Sequence, residues 1–236
     1  MSLTAAQIVT LATQIAKVPG MTSQAGQLLN AILSELCQNY DFESAAGTNA
    51  FSFTGSAGPY VTPTDYLRMK KDTFRFVIDG VPYFPTPFTY AEYLAFIQTA
   101  GFNSYPTAYA TDASTSPINL WVWPPPSGAY AASYEYYRAM PEISAPESSS
   151  DVPWFPNQTY LLRRLAGELM LLAGDQRANG FLGDNDSLYP QGAGTLLRRY
   201  LKMKDDESTT VKQVALDPRR FGSPFRGLKS TKNIGW

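Results

Sequence analysis

Apolar residues recur in this chain with two different periods, and the switch between them limits the folds open to it. Near the N-terminus the spacing is helical. Leu3, Ile8, Leu11 and Ile15 return at three- to five-residue steps over 3–17, and Pro19-Gly20 stops the run. Ser23 is placed to cap a second helix, although Gly26 stands where a capping box needs Glu or Gln. That helix carries a wide apolar stripe of Leu28, Leu29, Ile32, Leu33, Leu36 and Cys37. Two such helices joined by a short Pro-Gly turn predict an αα-hairpin.

From about 50 to 138 the period falls to two. Phe51-Ser52-Phe53 alternates, and 60–62 is short and extended before Pro63. The run 74–78 meets Asp79-Gly80, a hairpin turn signal, and returns over 81–84. Pro82 assigns that return strand to a sheet edge. Thr89 opens a helix to about 99, with Tyr90, Tyr93, Leu94 and Ile97 on one side and Gly101 as its stop. Three further strands read at 105–111, 118–123 and 130–138, the last two joined by a Pro-rich turn.

The Ser/Pro/Glu stretch 142–152 is a boundary. Beyond it Asn157 caps a helix, with Trp154-Phe155 as an apolar clamp before it. Tyr160, Leu161, Leu165, Leu169 and Leu172 line one face, Arg164 and Glu168 stand at i, i+4, and Gly174 ends the helix. Residues 183–194 read as loop, and a last helix covers 195–205 with Leu196, Leu197, Tyr200 and Leu201 inward. Helices with one apolar stripe need partners. The expectation is an α+β protein: an antiparallel helical bundle of N- and C-terminal helices (1–49 and 152–208), an inserted β-rich lobe (50–151) and an extended C-terminal arm (209–236).

The arm ends in LDPRRFGSPFRGLKSTKNIGW. Five cations (Arg219, Arg220, Arg226, Lys229, Lys232) stand against one acid, Asp217, and three aromatics (Phe221, Phe225, Trp236) are spread along it. No regular period runs through it, and its prolines and glycines oppose regular structure. A merely solubilising tail is poor in aromatics. Extended, about twenty residues reach roughly 65 Å, beyond the roughly 45 Å diameter of a compact body of this size. The reading is an arm that orders on a partner, with Arg219, Arg220, Phe221, Phe225, Arg226 and Trp236 as its partner-binding residues.

Catalytic chemistry is hard to find. The 236 residues contain no histidine and one cysteine, which removes Ser-His and Cys-His pairs, His bases, most zinc sites and any internal disulfide. Cys37 reads as a small buried hydrophobe. A net charge of −1 argues against a whole-chain nucleic-acid binder. The N-terminus lacks the basic region and long apolar run of a signal peptide, and no stretch approaches a membrane span. Asp184-Asn185-Asp186 starts like a calcium loop, but position twelve is Thr195, and a polar turn is the better reading. Gly222–Ser230 misses a phosphate loop because Leu228 separates Gly227 from Lys229. Gly192-Ala193-Gly194 lacks the third glycine of a dinucleotide site. Asp41 with Glu43, and Asp205, Asp206 and Glu207, read as solvated acids. Asn157-Gln158-Thr159 matches a glycosylation pattern but starts at a helix cap. Trp121 and Trp123 share one strand face, as packing residues or as a stacking platform. The expectation is no enzyme, cofactor or metal.

The order of segments resembles the head-to-tail adaptor proteins of short-tailed double-stranded-DNA bacteriophages. The matching stretches are TLATQIAKVPGMTSQAGQLLNAILSELCQNYDF (10–42), GPYVTPTDYLRMKK (58–71), DGVPYFPTPFTYAEY (79–93), VPWFPNQTYLLRRLAGELM (152–170) and RRYLKMKDDE (198–207) with the basic tail. The resemblance implies a virion structural protein at the head–tail junction, made in the bacterial host cytoplasm. It implies a ring of copies, commonly twelve, between the portal protein and the tail nozzle protein. Such a ring is a conduit and seal for genome DNA, which passes without specific binding, and no membrane is involved. Two other readings stay open. A tail nozzle or other distal tail component would form rings without the portal. A carbohydrate-binding or glycan-hydrolysing module would use Trp121, Trp123 and nearby acids.

Overall fold

The computed structural model describes residues 2–97 and 103–216, without the side chains of Phe96 and of 205–216. The chain is mixed α+β and divides into two compact units. Of the described residues, the first holds those up to Leu29, Ala145–Ser150 and those from Pro156 to Leu216; the second holds the described residues of Asn30–Ser144 and Asp151–Phe155. On the N-terminal side the division falls inside a helix, well before the change of period near residue 50.

In the first unit, α1 (Ala5–Ala16) begins at a full capping box. The Thr4 side chain accepts from Gln7 N, and the Gln7 side chain accepts from Thr4 N. It ends at Lys17, whose φ of 60° is the left-handed turn that terminates helices. A 3₁₀ turn over Pro19–Met21 leads straight into α2 (Thr22–Asn39), so Ser23 is inside the helix rather than its cap. The packed face of α1 also differs from the expected one. Ala5, Ile8, Val9, Ala12 and Ala16 are buried, whereas Leu11 is exposed and Ile15 half-buried. Alanines let two helix backbones approach closely, and α1 packs on α4 (Gln158–Leu172).

The cap of α4 is Asn157, which accepts from Tyr160 N. Its buried face is Tyr160, Leu161, Leu165, Ala166, Leu169 and Met170, and Leu172 is exposed instead of joining it. Arg164 and Glu168 pair at 2.9 Å, and Gly174 follows the helix at φ 72°. Next comes α5 (Ala178–Leu182), which no period in the sequence announced, then α6 (Ala193–Leu216), which continues past the expected end at Asp205 into the stretch assigned to the arm. Both pack on α4.

The second unit is a β-sandwich. One sheet runs β1 (Ala46–Ser52), β9 (Ala131–Arg138), β4 (Arg75–Ile78), β5 (Val81–Tyr83), with β3 (Tyr66–Met69) also on β9. The other runs β2 (Tyr60–Val61), β8 (Asn119–Trp123), β7 (Ala108–Asp112), β6 (Thr86–Pro87). All ladders are antiparallel except β6–β7. The β4–β5 turn has Asp79 and Gly80 both at positive φ (49° and 81°), the type I′ geometry that the Asp-Gly pair favours. β5 is an edge strand, where Pro82 is tolerated. Between the sheets lie Phe53, Phe74, Phe76, Tyr109, Leu120, Val122, Ala132, Tyr134 and Tyr136. The alternation of β8 and β9 selects this set.

A short helix, α3 (Tyr90–Ile97), covers the outer side of β7 and β8. Thr89 and Glu92 cap each other reciprocally at its start. Only Tyr93 of the expected apolar side is buried; Leu94 and Ile97 are exposed. The expected stop at Gly101 lies outside the described residues.

Candidate assembly surface

The residues expected to bind a partner, Arg219, Arg220, Phe221, Phe225, Arg226 and Trp236, lie outside the described residues, as does the near-phosphate loop. The candidate chemical groups that are described have structural partners. Asp41 and Glu43 pair with Arg68 and with Lys70, respectively. Lys70 also meets Glu135 at 3.1 Å, and hydrogen bonds to Glu43 and then Glu135 hold its ammonium above the ordinary range. Asp184 and Asp186 face Arg198 and Arg199, at 3.1 and 3.3 Å. The Asn185 side chain accepts from Ser187 N and Leu188 N, so 184–188 is a polar turn. Among the described residues no group of His, Cys, Asp and Glu is placed to hold a metal. The side chains of 205–207 are not described.

Gly192 and Gly194 serve close packing. A Cβ at Gly192 would collide with the Gly183 carbonyl, and one at Gly194 would meet Asp184 Cβ at 2.5 Å. Cys37 is buried, and burial pushes its thiol up. Trp121 stands under α3, with Tyr93 and Tyr90 rings at 5.8 and 6.5 Å, so it packs the helix onto the sheet. Trp154 and Phe155 close on Phe42, with ring centroids at 5.9 and 5.1 Å.

What the second unit leaves open is apolar surface. Val61, Val81, Tyr83, Phe84 and Tyr105 are exposed, Phe84 by 62%. The outer face of the β1–β9–β4–β5 sheet carries a shallow groove of 430 Å³, lined by Ala50, Arg75, Val77, Pro82, Ala131 and Ser133. A second hollow of 220 Å³ is walled by Phe74, Phe84, Pro85, Pro87 and Tyr109, with Asp72 at its edge. Aromatic side chains are enriched at protein interfaces relative to the rest of a protein surface. Sequence reading missed both hollows, because their walls come from strands far apart in the chain; exposed Phe84 beside Pro85 and Pro87 was the one local signal.

Among the described residues no helix is long and apolar enough to cross a membrane. No curated protein matches this chain. The family model of the SU10 adaptor protein matches residues 3–217, which takes in every element of both units, and the chain belongs to that family.

Proposed function

We propose that this protein is a bacteriophage virion component that assembles as a ring of copies between the portal and the tail nozzle. There it serves as a conduit and seal for the genome DNA. The observation that carries this is the family match along nearly the whole described chain. The site chemistry supports it: Asp41, Glu43, Asp184 and Asp186 are spent on ion pairs, and Trp121 packs a helix instead of offering a free stacking face. A net charge of −1 suits a wall past which duplex DNA must slide, since phosphate contacts from a basic lining would hold it back.

The C-terminal segment is the docking arm of this reading. Phe221, Phe225 and Trp236 are its apolar anchors, and Arg219, Arg220 and Arg226 pair with acidic partner surface. An arm that orders only on its partner bears an ordering cost of about 1–2 kcal/mol per residue until contacts offset it, which discourages assembly before the portal is present.

The test is the native mass of the chain mixed with the portal ring of its own phage. A complex with about a dozen copies, from a chain monomeric alone, is the expected result. Persistent monomer beside the portal removes the adaptor assignment, and rings formed without the portal favour a more distal tail component. Replacing Phe221, Phe225 and Trp236 together by alanine should abolish attachment and leave the circular dichroism of the fold unchanged; undiminished attachment rejects the anchor assignment.

A further inference from the structure

The 220 Å³ hollow of the second unit combines features seldom left unused. Its walls are aromatic and proline surface: Phe74 and Tyr109 meet edge to face at 4.7 Å, and Phe84 and Pro87 are exposed. At its edge Asp72 is exposed, with φ 59°, and has no ion-pair partner among the described residues. The adjacent Lys71 is exposed and does not line the hollow. Asp72 is close enough to Tyr109 that its charge adds to burial in pushing that phenol up. The site thus suits a ligand with one aromatic ring and one cation held a short distance apart.

This chain carries such a ligand. In an extended segment, side chains two residues apart lie on the same side, roughly 6–7 Å from each other. Of the aromatics after Leu216, only Phe221 has a cation two positions away, Arg219; Phe225 has Ser223 and Gly227, and Trp236 has Ile234. Pro218 has no N–H to donate, which opposes carrying a helix on into this segment.

We propose that the hollow of one copy receives the Arg219–Phe221 segment of a second copy, Phe221 entering between Phe84 and Pro87 and Arg219 pairing with Asp72. This rests on the ring reading above. Tail and hollow are different surfaces, so the contact is head-to-tail, the type that closes rings when repeated. Within the arm this assigns Arg219 and Phe221 to the neighbouring copy, and Phe225, Arg226 and Trp236 remain the anchors for the portal.

Disulfide trapping tests it on the full-length chain assembled on the portal. Phe84→Cys and Phe221→Cys are combined, and the buried Cys37 is left in place. Multimeric adducts on a non-reducing gel, absent from either single variant, are expected. Asp72→Asn should weaken trapping without disturbing the turn, because Asn tolerates positive φ. Asp72→Arg with Arg219→Asp should restore what each change alone removes. A ring of normal mass without adducts, or adducts confined within single chains, overturns the contact and leaves the ring reading standing. A chain that stays monomeric on the portal overturns the ring reading and the contact with it.

Discussion

Arg68 joins two elements that the sequence keeps apart. From β3 its guanidinium donates to the carbonyls of Cys37 (3.2 Å), Gln38 (3.1 Å) and Tyr40 (3.0 Å), and to the Asp41 carboxylate. Those carbonyls belong to the end of α2 and the residues after it, where backbone acceptors have no intrahelical partner and the helix dipole favours a cation. The same group lies 5.2 Å from the centre of the Tyr137 ring. The exposed Asp41 pair contributes little after solvent screening; the carbonyl bonds carry the effect. Arg68→Ala is expected to destabilise the second unit by about 2–3 kcal/mol. Arg68→Lys should recover only part of that, since an ammonium lacks the planar fork. Urea denaturation of both variants checks this, and an Arg68→Lys variant as stable as the parent would show that charge alone matters.

At the scale of elements, signals confined to a few neighbouring residues were legible in the sequence. The Asp79-Gly80 turn, the Thr89 and Asn157 caps, Gly174 and the edge position of Pro82 all follow from local backbone chemistry. Signals decided by packing were not. Leu11 and Ile15 suggested one face for α1, but Ala5, Ala12 and Ala16 allow close approach to α4 and the helix turns that way. In β3 all four residues are half-buried, so no alternation marks it, and five residues are too few for α5 to show a helical period. Of the surfaces, the hollow depends on sheet topology bringing 72–74, 84–87 and 109 together. The start of α6 shows the same dependence. Gly192 lies against the Gly183 carbonyl and Gly167 against Leu182, at 2.6 Å from an added Cβ. Gly192→Ala therefore forces backbone apart at the α5–α6 connection, with an expected loss of about 2 kcal/mol or more. Gly180→Ala, where a Cβ meets nothing within 4 Å, is the matched control. Thermal melts of the pair should separate, and coincident melts would contradict the close approach.

At the scale of the molecule, the two units differ in what holds them. The first is held by aliphatic helix faces, and the core of the second is built mostly of aromatic rings, many of them phenols. Burial opposes phenol ionisation, pushing Tyr134 and Tyr93 up to about 12 and raising Tyr66, Tyr109, Tyr136 and Tyr137. In the unfolded chain these groups ionise near 10. Their neutral forms therefore favour the fold fully below about pH 10, and this contribution is lost as pH rises toward 12. Lys70 acts in the same direction, because the ion pairs with Glu43 and Glu135 that favour its charged form fade as it deprotonates. A substitution must separate the two. Tyr134→Phe removes one buried ionisation and leaves the Asn49 amide without the acceptor it has at 3.0 Å, a cost of about 1 kcal/mol at neutral pH. The variant should be less stable than the parent at pH 7 and lose less of its stability between pH 9 and 11. Urea midpoints across that range, with tyrosinate absorbance followed in parallel, provide the measurement. Parallel declines in the two proteins would mean that Tyr134 ionises with little resistance from the fold, and that the other buried phenols and the Lys70 ion pairs set the alkaline limit of the second unit.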